Sequence, residues 1–387
     1  MSESQTLAMA AKSRDLKAQG VDVISLSIGE PDFNTPDFIK AAAKKAIDNN
    51  YSHYPPVPGY PELREAISKK FLRDNNLAYK PSQIVVSTGA KQTLANIALS
   101  ILNPGDEVLL PSPYWVSYYE IIKLAGAIPV EIPTSIDSDF KVTAKQLEAH
   151  RTAKSKMIWF SSPCNPSGSV YNKNELSEIA GFLKNHPHII AVSDEIYELI
   201  NFSGAHHSLA SFDAIHNQVI TVNGVSKGFA MTGWRIGYMG AAQWIVDACI
   251  KMQGQFTSAP SGISQKAAQA AVEADPSVAK PMADEFKKRR DLLITWLNEI
   301  PGIKLNTPPG AFYLFPDLSY YFGKSHGGQI IKNATDLCMY LLDDARVALV
   351  TGEAFGNPEC VRLSYASSVA DLEKAAQRIK TSLAKLG

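Results

Sequence analysis

Short apolar runs alternate with helical patterns through most of the chain, and no other feature of the sequence constrains the fold as strongly. Between about residues 40 and 275, apolar runs of strand length are interspersed with stretches of helical periodicity. Strands that alternate with helices favour βαβ units and a largely parallel sheet. One apolar run ends at Val86, and further strands are predicted at 107–111, 128–132, 156–160, 188–193, 218–222 and 235–239.

Helical patterns account for much of the remaining chain. They are predicted at 5–19, 36–49, 60–76, 89–102, 115–124, 173–185, 241–253, 260–300, 329–344 and 369–385. The basic run "KKRRD" (287–291) falls within one of them, and we expect it to form a solvated helix face.

The pattern of predicted secondary structure changes after a long helical stretch near 277–299. Beyond it, strand-like runs are mixed with helices, at 311–315, 347–350 and 360–366. We therefore expect an α/β fold with a large domain over 41–280, in which helices flank a mostly parallel central sheet. A smaller α+β domain is expected over 281–387, and segment 1–40 is expected to join it.

Charge and cysteine content exclude several classes of function. The chain has 387 residues, with 38 lysines and arginines balanced by 38 aspartates and glutamates. A formal net charge of zero gives no support for a nucleic-acid or acidic-membrane partner. The cysteines form no C-x-x-C pair, so neither a disulfide framework nor a metal site is expected: they are Cys164, Cys249, Cys338 and Cys360. The N-terminus lacks the basic start of a signal peptide, and we expect a cytoplasmic protein.

Polar segments follow several of the predicted strands directly. Ligands of parallel sheets bind beyond the carboxyl ends of the strands. The segments after Val86, Phe160, Val192 and Val222 are all polar, and together they predict one site. That site would contain Asn165, Asp194, Tyr197, Ser226 and Lys227.

Lys227 is the most informative residue of this predicted site. It stands in "SKGFAMTGWR" (226–235), among small and apolar residues after a buried strand. Burial disfavours the ammonium ion and lowers the pKa of a lysine. A lysine of lowered pKa is an amine nucleophile, and its characteristic use is a Schiff base with a carbonyl group. Pyridoxal phosphate offers such an aldehyde, together with a phosphate, a ring nitrogen and a phenolic oxygen.

The chain offers a partner for the phosphate of this cofactor. Arg235 and Ser226 are of the right type to contact it. The backbone N–H groups of Gly89, Ala90 and Lys91 lie at a predicted helix start, which attracts anions.

Other residues suit the ring of the cofactor. Asp194 can keep the ring nitrogen protonated, which makes the ring an electron sink. Tyr197 and Asn165 can hydrogen-bond the phenolic oxygen, and Trp115 can stack on the ring face. From the residues alone, an equally good interpretation is that Asp194 and Glu195 merely cap an element.

Six motifs resemble those of a known family, and they occur in its order. The first, "VNGVSKGFAMTGWRIGY" (222–238), looks like the cofactor-lysine signature of the class I aminotransferases, which are fold type I pyridoxal-phosphate enzymes. The others are "LSIGEPDFNTP" (26–36), "YPPVPGYPELR" (54–64), "SPCNPSGSVY" (162–171), "SDEIYE" (193–198) and "VRLSYA" (361–366). The chain is most similar to the bacterial and plant aspartate aminotransferase branch, whose plant members also use prephenate.

The resemblance implies a reaction and the residues that carry it. The reaction is transamination between L-aspartate and 2-oxoglutarate, with ping-pong kinetics through a Schiff base on Lys227. Lys227, Asp194 and Tyr197 are implied as catalytic residues. Asn165 and Trp115 also line the implied substrate site.

Further roles come only from the resemblance. Arg362 is implied as the clamp for the substrate α-carboxylate, with Gly29 closing over it. Lys91, helped by Thr6, is our candidate for the distal carboxylate. Tyr54 is implied to reach the cofactor phosphate of a neighbouring subunit, which predicts a homodimer with shared active sites. Without the resemblance, Arg362 is equally well a surface arginine and Tyr54 an ordinary aromatic residue before prolines.

One position departs from the better-studied aspartate enzymes. They carry a serine three residues before the lysine, where this chain has Gly224. One phosphate contact is therefore expected to be absent.

Alternative functions remain open at this point. A prephenate or aromatic amino-acid aminotransferase fits the same motifs. The segment "GVSKG" (224–228) also matches the nucleophile elbow of α/β-hydrolases, which makes Ser226 a nucleophile and leaves only His326 as its later histidine. A non-enzymatic cofactor-binding regulator is disfavoured because the sequence shows no basic patch.

Overall fold

The computed structural model describes residues 5–387, except for the side chains of residues 5–8 and 10. The helices of this part are α1 (Gln5–Ala18), α2 (Asp37–Asp48), α3 (Pro61–Asn75), α4 (Ala90–Ile101), α5 (Val116–Leu124), α6 (Ala144–His150), α7 (Lys173–Asn185), α8 (Gln243–Phe256), α9 (Gly262–Glu273), α10 (Lys280–Asn298), α11 (Ala334–Tyr340) and α12 (Val369–Leu383). The strands are β1 (Ile24–Ser25), β2 (Ile84–Ser87), β3 (Glu107–Ser112), β4 (Ile128–Pro133), β5 (Ser155–Ser161), β6 (Ile190–Asp194), β7 (Val219–Gly224), β8 (Gly237–Gly240), β9 (Tyr313–Leu314), β10 (Ser325–His326), β11 (Gln329–Ile330), β12 (Val347–Ala348), β13 (Val350–Thr351) and β14 (Val361–Ser364).

Seven strands form the central sheet, in the order β2-β8-β7-β6-β5-β3-β4. The neighbouring pairs from β7 to β4 are all parallel. Only β8 runs the other way, antiparallel to both β2 and β7. The mostly parallel sheet predicted from the sequence is confirmed.

Helices cover both faces of this sheet. Ile84 and Val86 of β2 pack in one apolar core with α2, α3, α7 and α9. Val85, between them, packs in a second core with α4, α5 and α8. Because both faces of the strands are buried, their sequences are continuously apolar rather than alternating.

The register of the parallel strands brings their carboxyl ends together. Ser161 at the end of β5 lies beside Asp194 at the end of β6, and Asp194 lies beside Val222 of β7. The polar segments that follow these three strands therefore start at one edge of the sheet.

The C-terminal part of the chain has its own small sheet and core. Strands β13, β14 and β9 pair antiparallel, and β1 pairs in parallel with β12. Leu26, Phe312 and Leu363 share an apolar core with residues of α10 and α12. The N-terminal segment thus packs with the C-terminal part, while the domain boundaries at residues 40 and 280 stay predictions.

Several element boundaries differ from the prediction. The helical pattern over 260–300 is divided into α9 and α10, with Pro276 between them, because proline interrupts the backbone hydrogen bonds of a helix. Helix α6 was not predicted. The first residues of the helix expected over 329–344 instead form β11.

The basic run 287–291 is only partly a solvated face: Lys287, Lys288 and Asp291 are exposed, whereas the prediction was wrong for the two arginines. Arg289 and Arg290 are both more than nine-tenths buried. Arg289 donates to the Asp32 carboxylate at 2.7 Å, and Arg290 donates to the carbonyl of Pro308 at 2.8 Å. No helix in the described part of the chain is long and apolar enough to cross a membrane.

Candidate active site

A cavity of about 360 Å³ lies at the carboxyl ends of the central strands. It collects predicted site residues from segments far apart in the sequence. Those lining it are Gly29, Ala90, Lys91, Trp115, Asn165, Asp194, Tyr197, Ser226, Lys227, Arg235 and Arg362.

Lys227 follows β7 and points its amine into this cavity. Its Nζ donates to the backbone carbonyl of Gly29 at 2.5 Å. Burial lowers the pKa of Lys227 from 10.5 to about 8; the Glu30 carboxylate opposes this shift, while the charge of Arg362 adds to it. An amine with this pKa is partly neutral near physiological pH and is therefore available as a nucleophile or base.

Asp194 ends strand β6 and is almost fully buried. Its Oδ2 accepts a hydrogen bond from the Tyr118 hydroxyl at 2.6 Å, and its Oδ1 accepts one from the backbone N–H of Ile196 at 3.2 Å. Burial raises the pKa of Asp194 to about 6, although the Tyr118 hydrogen bond opposes this. Within residues 5–387 no basic side chain forms an ion pair with it. Such a carboxylate favours a cationic ligand group.

The N-terminus of α4 contributes Ala90 and Lys91 to the cavity wall. Its N-cap is Gly89, with φ of +83°, which suits glycine. A Cβ at Gly89 would lie only 2.3 Å from Nη2 of Arg235, so the guanidinium packs directly against the helix start. Ser226 is also buried here. A helix N-terminus beside an arginine is an anion site.

Arg362 lies on β14 and is 1% exposed, so it is not a surface arginine. It donates to Oδ1 of Asn165 at 2.9 Å and to the carbonyl of Ser27 at 2.7 Å. The ring of Tyr313 lies 4.7 Å from the guanidinium. The Nε of Arg362 is buried without a hydrogen-bond partner, and no carboxylate in the described part of the chain pairs with the guanidinium. The guanidinium is therefore suited to a carboxylate ligand.

Lys91 and Trp115 form the cavity wall near α4. The Lys91 ammonium lies 4.9 Å from the centre of the Trp115 ring, a cation–π distance. Burial and the neighbouring charge of Arg235 lower the pKa of Lys91.

Two tyrosines that the sequence analysis did not single out complete the site. Tyr118 donates to Asp194, and it stands three residues after Trp115, a spacing that puts both on one side of the helix start. The Tyr313 hydroxyl lies 2.7 Å from the Tyr197 hydroxyl. In "PYWVSY" (113–118), the three-residue spacing between Trp115 and Tyr118 is a signal that could have indicated Tyr118, whereas Tyr313 approaches only through tertiary packing.

Of the predicted site residues that the structure describes, Gly89 and Tyr54 are not among those that line the cavity. Tyr54 is 98% exposed in the single chain. The side chain of Thr6 lies outside the described residues. Glu30 and Thr232, which were not predicted, line the cavity instead and share a hydrogen bond of 2.7 Å.

The hydrolase alternative finds no support in this geometry. Among the described residues that line the cavity there is no histidine. His326 lies in the β10–β11 hairpin. Ser226 therefore has no general base of the kind that alternative requires.

The cavity combines three chemical features: an amine of lowered pKa, a buried carboxylate without a cation, and an anion site at a helix start. A phosphorylated aromatic aldehyde with a protonated ring nitrogen requires this combination. The sequence profile described as aminotransferase class I and II matches residues 21–379, and the chain belongs to this family of enzymes. The family uses pyridoxal phosphate.

Individual relatives cover nearly the whole chain. It is 48% identical over 385 residues to the bifunctional aspartate aminotransferase and glutamate/aspartate-prephenate aminotransferase of Petunia hybrida, covering 98% of this chain and 80% of that protein. The aspartate aminotransferase structure from Rhizobium meliloti superposes with a TM-score of 0.97 at 41% identity, covering 100% of this chain and 98% of the other. The Thermus thermophilus aspartate aminotransferase with maleate gives 0.93 at 38% identity, covering 99% and 97%.

Proposed function

We propose that this aminotransferase interconverts L-aspartate and 2-oxoglutarate with oxaloacetate and L-glutamate, using pyridoxal phosphate bound at Lys227. The observation that carries the proposal is the pairing of Lys227, an amine of lowered pKa, with Asp194, a buried carboxylate without a cation, in one cavity. The names of the relatives in petunia, Rhizobium and Thermus support aspartate as a substrate.

Different cavity residues would contact the ring nitrogen, the ring face, the phenolic oxygen and the phosphate of the cofactor. Asp194 would hold the ring nitrogen in its protonated form, and Trp115 would cover the ring face. Tyr197 and Asn165 would hydrogen-bond the phenolic oxygen. Ser226, Arg235 and the N–H groups of residues 89–91 would hold the phosphate. When bound, pyridoxal phosphate supplies an aldehyde for the amine exchange and a ring that delocalises the electrons left at the substrate Cα.

Lys227 has two tasks in this scheme. Its Nζ would anchor the cofactor in the resting enzyme and, once released, would remove the proton from the substrate Cα. The lowered pKa keeps part of the amine neutral at physiological pH, which a base requires. Asp194 would keep its charge with the cofactor bound, because the protonated ring nitrogen would supply the cation that the buried carboxylate lacks among the described residues.

The substrate would lie between two cationic side chains. Arg362, oriented by Asn165 and Ser27, would clamp the α-carboxylate. Lys91 at the cavity wall would contact the distal carboxylate, and Thr6 is proposed to help it. This arrangement favours amino acids with two carboxylates.

We further propose a homodimer with shared active sites. Tyr54 is fully exposed in the single chain and stands in a motif similar to that of the family. A second subunit would bring this hydroxyl to the phosphate of the first.

The cofactor and both half-reactions are tested by the visible spectrum of the purified protein. Addition of L-aspartate is expected to bleach the absorbance of the bound cofactor, and 2-oxoglutarate is expected to restore it. A protein that stays colourless after pyridoxal phosphate is added would contradict the proposal.

Prephenate is the second candidate amino acceptor, because the petunia relative's name includes a prephenate aminotransferase activity. Prephenate also carries a distal carboxylate, so Lys91 does not distinguish it from oxaloacetate. Restoration of the absorbance by prephenate as efficiently as by 2-oxoglutarate would add this activity, and failure to do so would exclude it.

The role of Lys91 is tested by Lys91→Met. A charge-assisted hydrogen bond contributes about 1.5–3 kcal/mol, so kcat/KM for aspartate should fall by roughly 10- to 150-fold while that for alanine stays unchanged. Lys123→Met is a matched control, since the Lys123 ammonium also lies over a ring, that of Tyr119, but outside the cavity. Equal losses on aspartate and alanine would contradict the role.

A further inference from the structure

The turn that carries Asp194 and Tyr197 has a second face. Asp194 and Tyr197 line the active-site cavity, whereas Glu195, which lies between them, and Glu198, which follows Tyr197, do not. Glu195 is 0% and Glu198 8% exposed. Two buried carboxylates next to two site residues require partners, and none of the steps assigned above uses them.

Glu198 is held by helix α3. Its Oε1 accepts a hydrogen bond from the ammonium of Lys70, which is itself 4% exposed. Its Oε2 accepts one from Nδ2 of Asn75 at 2.7 Å, and Lys70 also donates to Oδ1 of Asn75 at 2.7 Å. Burial alone would raise the pKa of Glu198, but the charge of Lys70 keeps it below its ordinary value.

Glu195 is held by the segment after the turn. Its Oε2 accepts hydrogen bonds from Nε2 of His206 at 2.9 Å and from the Ser208 hydroxyl at 2.6 Å. Burial lowers the pKa of His206, but the Glu195 carboxylate outweighs this and raises it above 6.5. Asn75 donates to Ser208 at 3.2 Å, which joins the two halves into one polar network.

We propose that the network of Lys70, Asn75, Glu195, Glu198 and His206 positions Asp194 and Tyr197 against the cofactor. The inference rests on the function proposed above. The five are positioning residues, because none of them lines the active-site cavity and each acts through the backbone of the turn.

The physical argument is one of geometry. The backbone of the turn is fixed at its start, where the N–H of Glu195 donates to the carbonyl of Val222 at 2.8 Å. Tyr197 lies beyond this point, and its hydroxyl must be placed within about 0.5 Å to serve the phenolic oxygen. Hydrogen bonds to charged groups are directional, and those to Glu195 and Glu198 fix the turn on both sides of Ile196. Apolar packing alone is less directional.

The test removes the buried ion pair as a unit, in the double variant Lys70→Met/Glu198→Gln. Removing both partners avoids leaving one charge buried and unpaired. The matched control is Lys69→Met/Glu65→Gln, an exposed ion pair on the same helix. Both variants and the wild type are loaded with pyridoxal phosphate, and their visible absorbance is titrated with pH.

In the double variant Lys70→Met/Glu198→Gln, the midpoint of the pH titration of the visible absorbance is expected at higher pH than in the wild type. A displaced Tyr197 no longer donates to the phenolic oxygen, so more negative charge remains beside the nitrogen that links Lys227 to the cofactor, and its protonated form is stabilised. The kcat is expected to fall by tenfold or more, since small displacements at a reacting centre are costly. The control is expected to match the wild type in both measurements.

Asn75→Ala provides a second variant that leaves both charges in place. It is expected to shift the titration midpoint in the same direction by a smaller amount. A wild-type midpoint and kcat in whichever network variant folds would overturn the inference. Absence of the visible band from the wild type would instead overturn the proposed function, so the two failures are distinguishable.

Discussion

The pKa of Lys227 and that of Asp194 are both shifted in the direction that favours the neutral form. Lys227 is partly and Asp194 almost fully buried, and neither forms an ion pair within the described residues. The pKa of Lys227 falls to about 8, and that of Asp194 rises to about 6. The charged groups that relieve this cost are those that pyridoxal phosphate would bring. At the scale of single residues, the apoprotein is therefore expected to be less stable than the protein with pyridoxal phosphate bound. The shifted pKa values of the two residues can be measured in the apoprotein.

The first expectation concerns pH and the loading of the apoprotein with pyridoxal phosphate. Only the neutral amine of Lys227 attacks the aldehyde, and its fraction rises with pH through the pKa. The rate of loading should therefore rise with pH and reach half its maximum near pH 8. Stopped-flow absorbance measures this rate, and a midpoint near 10.5 would show that burial leaves the amine unperturbed.

The second expectation is that Asp194→Asn stabilises the apoprotein but impairs the enzyme. Because the folded pKa of about 6 lies above the unfolded value of 3.8, the wild type loses stability as the pH rises from about 4 to 6. A shift of about two units corresponds to on the order of 3 kcal/mol, and asparagine avoids this loss.

Urea unfolding of the apoprotein at pH 8 and at pH 3.5 tests this prediction. The variant should be more stable at pH 8, and the difference should vanish at pH 3.5. Its affinity for pyridoxal phosphate should fall, since the cation at the ring nitrogen loses its partner. If the variant and the wild type were equally stable at pH 8 as well as at pH 3.5, burial of the Asp194 carboxylate would not lower the stability of the apoprotein.

The strands of the central sheet were predictable because buried strands have continuous apolar sequences, which are visible in the local sequence. Helix α6 was not, because seven residues carry too little periodicity. Arg289 and Arg290 were misjudged for a different reason. Their partners, Asp32 and Pro308, lie elsewhere in the chain, so nothing in the local sequence indicates that the two arginines are buried.

Gly224 shows how a pair of strands constrains one residue. A Cβ there would lie 2.9 Å from the carbonyl oxygen of Ile236 and 3.0 Å from Cα of Gly237, which belong to the neighbouring chain segment at β8. The close approach of β7 and β8 thus requires glycine where the better-studied aspartate enzymes carry serine.

Gly224→Ser should therefore destabilise the protein rather than add a phosphate contact. Overpacking of this kind costs about 1–3 kcal/mol. Gly233→Ala serves as the control, since a Cβ there has nothing within 4 Å. Denaturant unfolding of both apoproteins compares them, and a variant Gly224→Ser as stable as the wild type would contradict the packing argument.

At the scale of the whole molecule, the cavity draws on three distant parts of the chain. Gly29 comes from the N-terminal segment, Lys227 from the centre and Arg362 from the C-terminal part. Motif order along the sequence indicated that all three belong to one site. It did not reveal Tyr313, whose approach depends on how β9 packs behind Tyr197.

The homodimer is tested through Tyr54. In solution the protein should have twice the mass of the chain by light scattering. Tyr54→Phe should weaken pyridoxal phosphate binding without lowering the thermal stability of the apoprotein, because the residue is exposed within its own subunit. Tyr320→Phe, which removes another exposed hydroxyl, should change neither the affinity for pyridoxal phosphate nor the thermal stability of the apoprotein. A monomer, or unchanged cofactor affinity in Tyr54→Phe, would contradict a shared site.

The central claim is that Lys227 holds pyridoxal phosphate covalently. Borohydride reduction of the protein loaded with this cofactor fixes the link as a stable secondary amine, and peptide mass spectrometry locates it. We predict the phosphopyridoxyl group on the peptide containing Lys227, and no such label in Lys227→Ala. A label on Lys91 or another lysine, or no label in the wild type, would contradict the account.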